Sequence, residues 1–459
     1  MSVPTDSGYD ALLPWMERHL GGRVVACNRQ GDRRSGGRPA FFIDVERPDG
    51  ELVRTYARMS RGQGQLEEFS LGREHAVLEE LHAAGIAVPQ PLGHCPEPEG
   101  ILLERLAGED DYSLIRDEAQ RDAIDRAFVA EIAKVHALDI APFEARGLVA
   151  PKSREEFVLN DLAHWEHAFD LGARQPVPLV RFARNWLHRN IPDAPERAAL
   201  IQGDTGPGQF MFEGNQLTGI VDWEFAHLAD PMLDLAQIRA RDWYNPGADL
   251  KKWLAYYSEF SGTPVDLPRL RYYYVKAMII TPLALAGIVQ RMHPLTDHAE
   301  WYAQDISYKR GVVEAQAEAM GIELRPVELP EPTPSLRAPI FELVETNLRD
   351  EFPDATGDDF ARYRIGLARR LATYARNIER FGAAFEAQEL DEMGEILGAR
   401  PGSVIEGNEA LEAYVQAQRL SDADEEALVH FFYRHAIREN ALMAGALGAG
   451  DEAVHQSVV

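Results

Sequence analysis

Cysteine is almost missing from this chain of 459 residues. Cys27 and Cys95 cannot make a disulfide framework and show no CxxC or other metal-ligand spacing, so a stapled scaffold is excluded and two reduced, buried thiols are expected. Basic side chains are also short in number: 47 Lys and Arg stand against 74 Asp and Glu, a formal net charge of -27. Such a surface repels phosphate backbones and anionic headgroups, so neither nucleic acid nor a membrane is an expected partner. A single nucleotide is not disfavoured, because screening acts over roughly 8 Å and local arginines with Mg2+ outweigh distant carboxylates. No apolar run reaches the roughly 20 residues of a bilayer span. The longest, Ala277 to Val289, contains Pro282 and reads as a buried helix. The opening MSVPTDSGYD has no basic region followed by an apolar stretch, so a cytoplasmic location is expected.

What is present is an ordinary globular composition, 45% hydrophobic and 26% charged, on a chain too long for one hydrophobic core. From Arg23 to Gly64 short β-rich pieces alternate with turn residues, which predicts a small antiparallel sheet. The segment 30–37 between two of these strands, rich in Gly and Arg, suits a flap over phosphates, although a surface hairpin is the commoner use of such a loop. A helix is expected from about Gln65 to Ala84, ended by Gly85, with Leu71, Glu74, Leu78 and Leu81 on one face. Glu74 on an apolar stripe needs a cationic partner, and Arg58 on the preceding strand is the candidate. Gly100 to Leu103 reads as a strand that runs into a connector, Glu104 to Gly108. Helical periodicity dominates from there to Met320. Pro326, Pro330, Pro332, Pro334 and Pro339 then interrupt it and predict an extended linker. The expected organisation is an N-lobe over 1–107, a helical lobe over 108–322, a linker over 323–339 and a helical region of unassigned role over 340–459.

The chemistry concentrates between Leu200 and Glu224. Glu213-Gly214-Asn215-Gln216 is a turn between two β-like runs. A hairpin centred between Asn215 and Gln216 places Gln209 level with Asp222 at its open end, beside the loop that carries Asp204. Two carboxylates and an amide oxygen in one space suit phosphoryl transfer. Asp222 and Gln209 offer oxygen to Mg2+, Asp204 accepts a hydroxyl proton, and Arg58 neutralises phosphate. Glu224 either assists the metal or faces solvent. His136 reads as a packed helix histidine, and Asp234 as a group that hydrogen-bonds the loop backbone. Tyr272, Tyr273 and Tyr274, with Trp253, Tyr256 and Tyr257, line an acceptor pocket or belong to the core, and core is the commoner use of such stripes.

These residues resemble the signature of the aminoglycoside phosphotransferase family, whose loop reads H-G-D followed five residues later by Asn, then D-W-E and G-D-P-x-x-D-L-A. Here the matching positions hold Gln202-Gly203-Asp204, Gln209, Asp222-Trp223-Glu224 and Ala229-Asp230-Pro231-Met232-Leu233-Asp234-Leu235-Ala236. Upstream, Arg73-Glu74-His75 resembles the family's R-E-[YH] helix segment, and Tyr56-Ala57-Arg58 the strand whose basic residue, more often lysine, pairs with that glutamate. The resemblance covers roughly residues 20 to 320. It implies an α+β, two-lobed protein-kinase-like fold, with a small antiparallel-sheet N-lobe and a mainly helical C-lobe, followed by an all-α C-terminal domain. Gln202 stands where the family has a loop histidine, and Gln209, one methylene longer, where it has the metal-binding asparagine.

The resulting expectation is a Mg2+-dependent kinase that moves the γ-phosphate of ATP or GTP to a hydroxyl of a small metabolite. Asp204 is its base or the orienter of the acceptor hydroxyl, Gln209 and Asp222 hold the metal, Arg58 fixed by Glu74 holds phosphates, and Glu104 to Leu106 offer backbone to the adenine. The Q-G-D-T-G-P-G variant resembles members acting on hydroxylated acyl thioesters, so these stand beside aminoglycoside-like compounds as acceptors. The alternative is a weak or inactive nucleotide-binding module that recruits a partner protein through the C-terminal helices. For the C-terminal helices three roles stay open: a homodimer contact, a cover over the acceptor site, or a docking surface for a protein partner.

Overall fold

The computed structural model describes residues 9–29, 38–60, 69–244, 246–291, 297–333, 335–417, 420–448, 453 and 455–458. The expected flap over 30–37 lies outside the described residues. Strands β1 (Arg23–Arg29), β2 (Ala40–Glu46), β3 (Leu52–Met59), β4 (Pro91–Pro96) and β5 (Glu99–Glu104) form one antiparallel sheet in the order β1-β2-β3-β5-β4.

Strand alternation decides what each face of the sheet does. Phe41, Ile43, Val45, Ala57, Met59 and Leu102 point one way and bury against Leu12, Met16 and Leu20 of α1 (Tyr9–Leu20). Each of the larger anchors contributes roughly 1.5–3 kcal/mol. Helix α1 goes beyond the expected elements, and its signal is an apolar residue at every fourth position. The other face, with Ile101 and Leu103, meets Leu71, Val77, Leu78 and Leu81 of α2 (Leu71–Ala83). Arg58, one residue from Ala57 and Met59, therefore points toward α2. Ser70 caps that helix by accepting from the Arg73 N–H at 3.2 Å. The helix thus begins at Leu71, while residues 61–68, where part of its expected first turns fell, lie outside the described residues.

The C-lobe follows with α3 (Glu118–Ala137), α4 (Ala141–Ala145), α5 (Arg154–Gly172) and α6 (Pro178–Arg189). Two small sheets come next: β6 (Ala199–Ile201) pairs with β9 (His227–Ala229), and β7 (Phe210–Glu213) with β8 (Gln216–Ile220). Helices α7 (Pro231–Tyr244), α8 (Leu250–Ser261), α9 (Leu267–Val289) and α10 (His298–Met320) complete the lobe. Among the described residues α9 is the one helix long and apolar enough to cross a membrane, and it is the buried centre of this lobe, packed by α5, α7 and α10. It approaches α5 so closely that a Cβ on Gly287 would lie 2.8 Å from the Gly172 Cα.

The β7–β8 hairpin differs from its expected register. Glu213 pairs with Gln216, so Gly214-Asn215 is the turn, and a bulge between Met211 and Phe212 shifts the pairing by one before Phe210 meets Ile220. The Gln209 carbonyl accepts from the Val221 N–H at 2.9 Å, and Asp222 stands one residue beyond.

After Gly321, residues 322–333 have no regular structure. Pro339 opens α11 (Ala338–Thr346) in its first turn instead of extending the linker, because its missing N–H is no loss there. A π-helical turn, Asn347–Glu351, leads to the short α12 (Phe352–Asp354). Then come α13 (Asp359–Leu397), α14 (Val404–Ala417) and α15 (Asp422–Leu442). Leu411 and Val415 of α14 and Phe432 of α15 join the same hydrophobic core as α6, and Arg181 of α6 meets Glu412 at 2.9 Å. The chain is therefore bilobal and kinase-like, with its C-terminal helices packed on the helical lobe.

Candidate active site

The loop after β6 carries Asp204, and its shape is imposed from below. Gly203 sits at φ +87°, and a Cβ there would meet the Phe225 carbonyl oxygen at 2.6 Å, so glycine is required. Both oxygens of buried Asp234 accept loop N–H groups, from Gln202 and from Gly203, each at 2.9 Å. His136 adds a contact to Asp234 at 3.1 Å and one to the Tyr257 hydroxyl at 2.8 Å. Burial works against the charge of Asp234, yet His136 and the loop N–H groups hold its carboxyl below the ordinary value. Asp234 thus supports the loop backbone, and His136 is a packed helix histidine. Gln202, in place of a histidine, donates from Nε2 to the Val221 carbonyl at 2.6 Å, tying this loop to the strand end that carries Asp222.

Asp204 is gripped from two sides. Arg241 Nη1 lies 2.8 Å from each of its oxygens, and Gln209 Nε2 donates to Oδ2 at 2.6 Å. Burial raises the Asp204 pKa above its ordinary value, Arg241 opposes this, and the nearby Asp222 adds to it. The Gln209 amide oxygen is left to turn away from Asp204.

Asp222 belongs to a second cluster. Arg58 Nη1 contacts Glu74 at 2.5 Å and Asp222 at 2.9 Å, while its Nη2 reaches Glu224 at 3.2 Å. Arg38 also pairs with Glu224, at 2.8 Å. Arg58 and Glu74 are buried, whereas the Asp222 side chain is 37% exposed and can be reached by a ligand. Asp222 has φ +63°, the one non-glycine in the left-handed region among the described residues. Such a conformation is strained, and it persists here beside the Arg58 ion-pair cluster. Burial pushes Glu74 up to about 7; Arg58 opposes this, and Asp222 and Glu224 reinforce it. Three carboxylates share two guanidiniums, which leaves a place for further positive charge.

The fold therefore brings Arg58, Glu74 and Asp222 together, and Asp204 with Gln209 next to them. Glu104 and Leu106 stand apart on the connector between the lobes. Glu104 is pinned there by Gln90, through N–H to carbonyl at 2.8 Å and side chain to N–H at 3.1 Å. Leu106 lies over Gly219, where a Cβ would come within 2.6 Å of its Cδ1.

On the far side of Asp204 a cavity of about 500 Å³ opens between α5, α7, α9 and α10. Phe69, Trp165 and Phe225 form one aromatic wall, with Phe69 stacked on Trp165 at 6.1 Å and edge-on to Phe225 at 5.1 Å. Ile280, Ala284 and Leu285 of α9 and Trp301 and Tyr308 of α10 extend this apolar lining, and His227, Gln237, Thr281 and Gln304 add polar groups to it. Its second carboxylate, Asp161, is paired with the buried Lys276. Tyr272, Tyr273, Tyr274 and Trp253 are core.

Arg241, Arg38 and the cavity lie beyond what the sequence motifs mark. The signal for Arg241 is its place two helical turns after Asp234, on the same face of α7. Glu224, left open between metal and solvent, is an ion-pair partner of both arginines, Arg38 and Arg58.

A model of the phosphotransferase enzyme family matches residues 41–273. Rat acyl-CoA dehydrogenase family member 11 is 24% identical over 317 residues, which take in 62% of this chain and 39% of the rat protein. The human protein of the same name is 24% identical over 281 residues, 55% of this chain and 33% of that one. The chain thus spans well under half the length of the curated relatives it matches. Among solved structures, a Ralstonia eutropha protein provisionally described as an aminoglycoside phosphotransferase superposes with a TM-score of 0.52 at 19% identity, covering 69% of this chain and 99% of its own. Choline kinase LicA from Streptococcus pneumoniae gives 0.50 at 15% identity, with 68% and 99% covered. At these identities the structures speak to fold alone.

Proposed function

Because the chain belongs to the phosphotransferase enzyme family, we propose that it moves the γ-phosphate of ATP or GTP to the hydroxyl of a hydroxylated acyl thioester in the cytoplasm. The acceptor oxygen attacks the γ-phosphorus while the bond to the β-phosphate oxygen breaks, and the hydroxyl proton passes to an Asp204 oxygen. A half-buried carboxyl with a raised pKa is the better base, and Arg241 with Gln209 fixes its direction. On the nucleotide side, the surplus carboxylate around Arg58 and Arg38 fits a hard cation. Among the described residues no group of three or more His, Cys, Asp or Glu forms a cage, so Asp222, the Gln209 amide oxygen and nucleotide phosphates are the donor set. Magnesium held there would supply charge neutralisation for the phosphates. Arg58, braced by Glu74, contributes the protein's own positive charge, and backbone at Glu104 and Leu106 faces the base.

The observation that carries the choice of acceptor is the charge state of the cavity. Both of its carboxylates are already matched, Asp204 by Arg241 and Asp161 by Lys276, and the remaining walls are mostly aromatic and aliphatic, with His227, Gln237, Thr281 and Gln304 as the polar exceptions. A polycationic aminoglycoside would find no uncompensated negative charge there, whereas an acyl chain finds apolar wall worth about 25 cal/mol per Å² buried. The name of the curated relatives, which refers to acyl-CoA, supports the same class of molecule.

The test is ADP release from Mg-ATP over hydroxyacyl thioesters of different chain length and hydroxyl position. Turnover that requires Mg2+ and disappears in Asp204→Ala is the expected result. Nucleotide binding with no turnover of any acceptor, unchanged in Asp204→Ala, would instead favour a non-catalytic module acting through the C-terminal helices.

A further inference from the structure

We infer that His227 selects the acceptor, its Nε2 lone pair taking a hydrogen bond from an N–H or O–H that the acceptor carries in addition to the hydroxyl being phosphorylated. This rests on the cavity beside Asp204 being the acceptor site. His227 is the first residue of β9 and pairs with Ile201, three residues before Asp204, so it stands at the foot of the same loop. Its Nδ1 lies 2.8 Å from the Phe225 carbonyl oxygen. A carbonyl only accepts, so Nδ1 carries the hydrogen and Nε2 is a bare acceptor.

That Nε2 is buried and has no hydrogen-bond partner among the described residues, and the residue lines the cavity. Burial lowers the His227 pKa; Asp161 opposes this, while Lys276 and Arg73 add to it, so the ring stays neutral. The other titratable groups of the cavity are engaged. Asp204 and Arg241 hold each other, Asp161 holds Lys276, and the Tyr308 hydroxyl reaches the Ala240 carbonyl at 3.5 Å. A buried acceptor left unpaired is unfavourable, so an incoming donor gains more here than at a wet surface. In a thioester the matching group is an amide N–H of the thiol arm or a second hydroxyl on the chain, and a molecule with neither leaves Nε2 unsatisfied.

The experiment uses three probes on the full chain: hydroxydecanoyl N-acetylcysteamine thioester, which has an amide N–H; its S-propyl counterpart, which has none; and a dihydroxylated S-propyl thioester. Binding is read from the fluorescence of Trp165 and Trp301, and turnover from ADP release. The wild-type chain is expected to bind at least one donor-bearing probe about tenfold more tightly than the plain S-propyl thioester, and which one identifies an N–H or an O–H donor. His227→Phe should erase that preference with nucleotide affinity unchanged, and His227→Gln, which keeps an acceptor oxygen, should restore part of it. Should His227→Phe fail to fold, the wild-type preference and the His227→Gln variant still decide. Equal binding of all three probes, no binding of any, or a preference that survives in His227→Phe overturns the inference. A preserved preference without turnover of any acceptor would instead sink the phosphotransfer reading and leave the role of His227 standing.

Discussion

The two ends of the site carry their charge in different ways. At the Asp222 end Glu74, Asp222 and Glu224 share Arg58 and Arg38, three carboxylates for two guanidiniums. At the Asp204 end each carboxylate has a cation of its own, Asp204 with Arg241 and Asp161 with Lys276, and mostly apolar side chains line the space between. The first arrangement is incomplete without added positive charge and suits a metal-nucleotide complex. The second is complete and suits a neutral, largely apolar molecule. On the proposed reaction, a single fold sorts nucleotide from acceptor by how much charge it leaves uncompensated on each side.

The strongest way to break the contrast is at Asp204. Asp204→Asn should lower kcat/KM by about 10²- to 10⁴-fold while nucleotide affinity, read by calorimetry, holds. Equal losses in both would mean that the residue shapes the cleft instead of the chemistry. Next comes Lys276→Met, which leaves Asp161 buried without its cation. Breaking a buried pair costs about 3–5 kcal/mol, read from chemical denaturation, and surviving protein should shift its acceptor preference toward amines.

Arg241→Gln is expected to act more mildly. With the guanidinium gone, burial and Asp222 raise Asp204 further, so the acidic limb of the kcat/KM profile moves to higher pH. Once that limb passes neutrality, the rate at pH 7 falls about tenfold for every further pH unit it travels. A profile displaced downward without moving sideways would deny Arg241 this role. The smallest effect belongs to Glu74. Its folded pKa, about 7, lies above its ordinary 4.5, so the folded state holds the proton more tightly. The stability this provides is full below 4.5 and is lost as pH rises through about 7. Measured against wild type, Glu74→Gln should therefore improve in relative stability as pH rises through that window, and a flat difference would contradict the burial of Glu74 and, after it, the crowding of carboxylates around Arg58.

Much of this was legible before any coordinates. Glu74 on an apolar stripe asked for a cation, and Arg58 on the neighbouring strand supplies it. A turn within Glu213 to Gln216, with acidic residues on either side of it, brought Asp204, Gln209 and Asp222 into one region. Local patterns of period two and 3.6 carry that information, as they do for β2, β3 and α2. The hairpin register was off by one because the turn falls one residue earlier than expected, at Gly214-Asn215, which displaces the pairing by two, and the bulge recovers only one of these. Arg241, Arg38 and the cavity stayed out of reach for another reason. Trp165, Arg241, Ile280 and Trp301 sit on four helices far apart in sequence, and only packing makes them neighbours. Lys276 illustrates the same limit, since a lysine inside an apolar helix gives no sign of the aspartate on α5 that it will meet.

The most direct test of charge sorting is a competition: equal concentrations of a hydroxyacyl thioester and an aminoglycoside, one pool of Mg-ATP, and mass spectrometry of the products. Phosphate should appear on the thioester, with little on the aminoglycoside. Preferential phosphorylation of the polycation would mean that the Asp204 end holds negative charge in excess, and the account of both ends would fall.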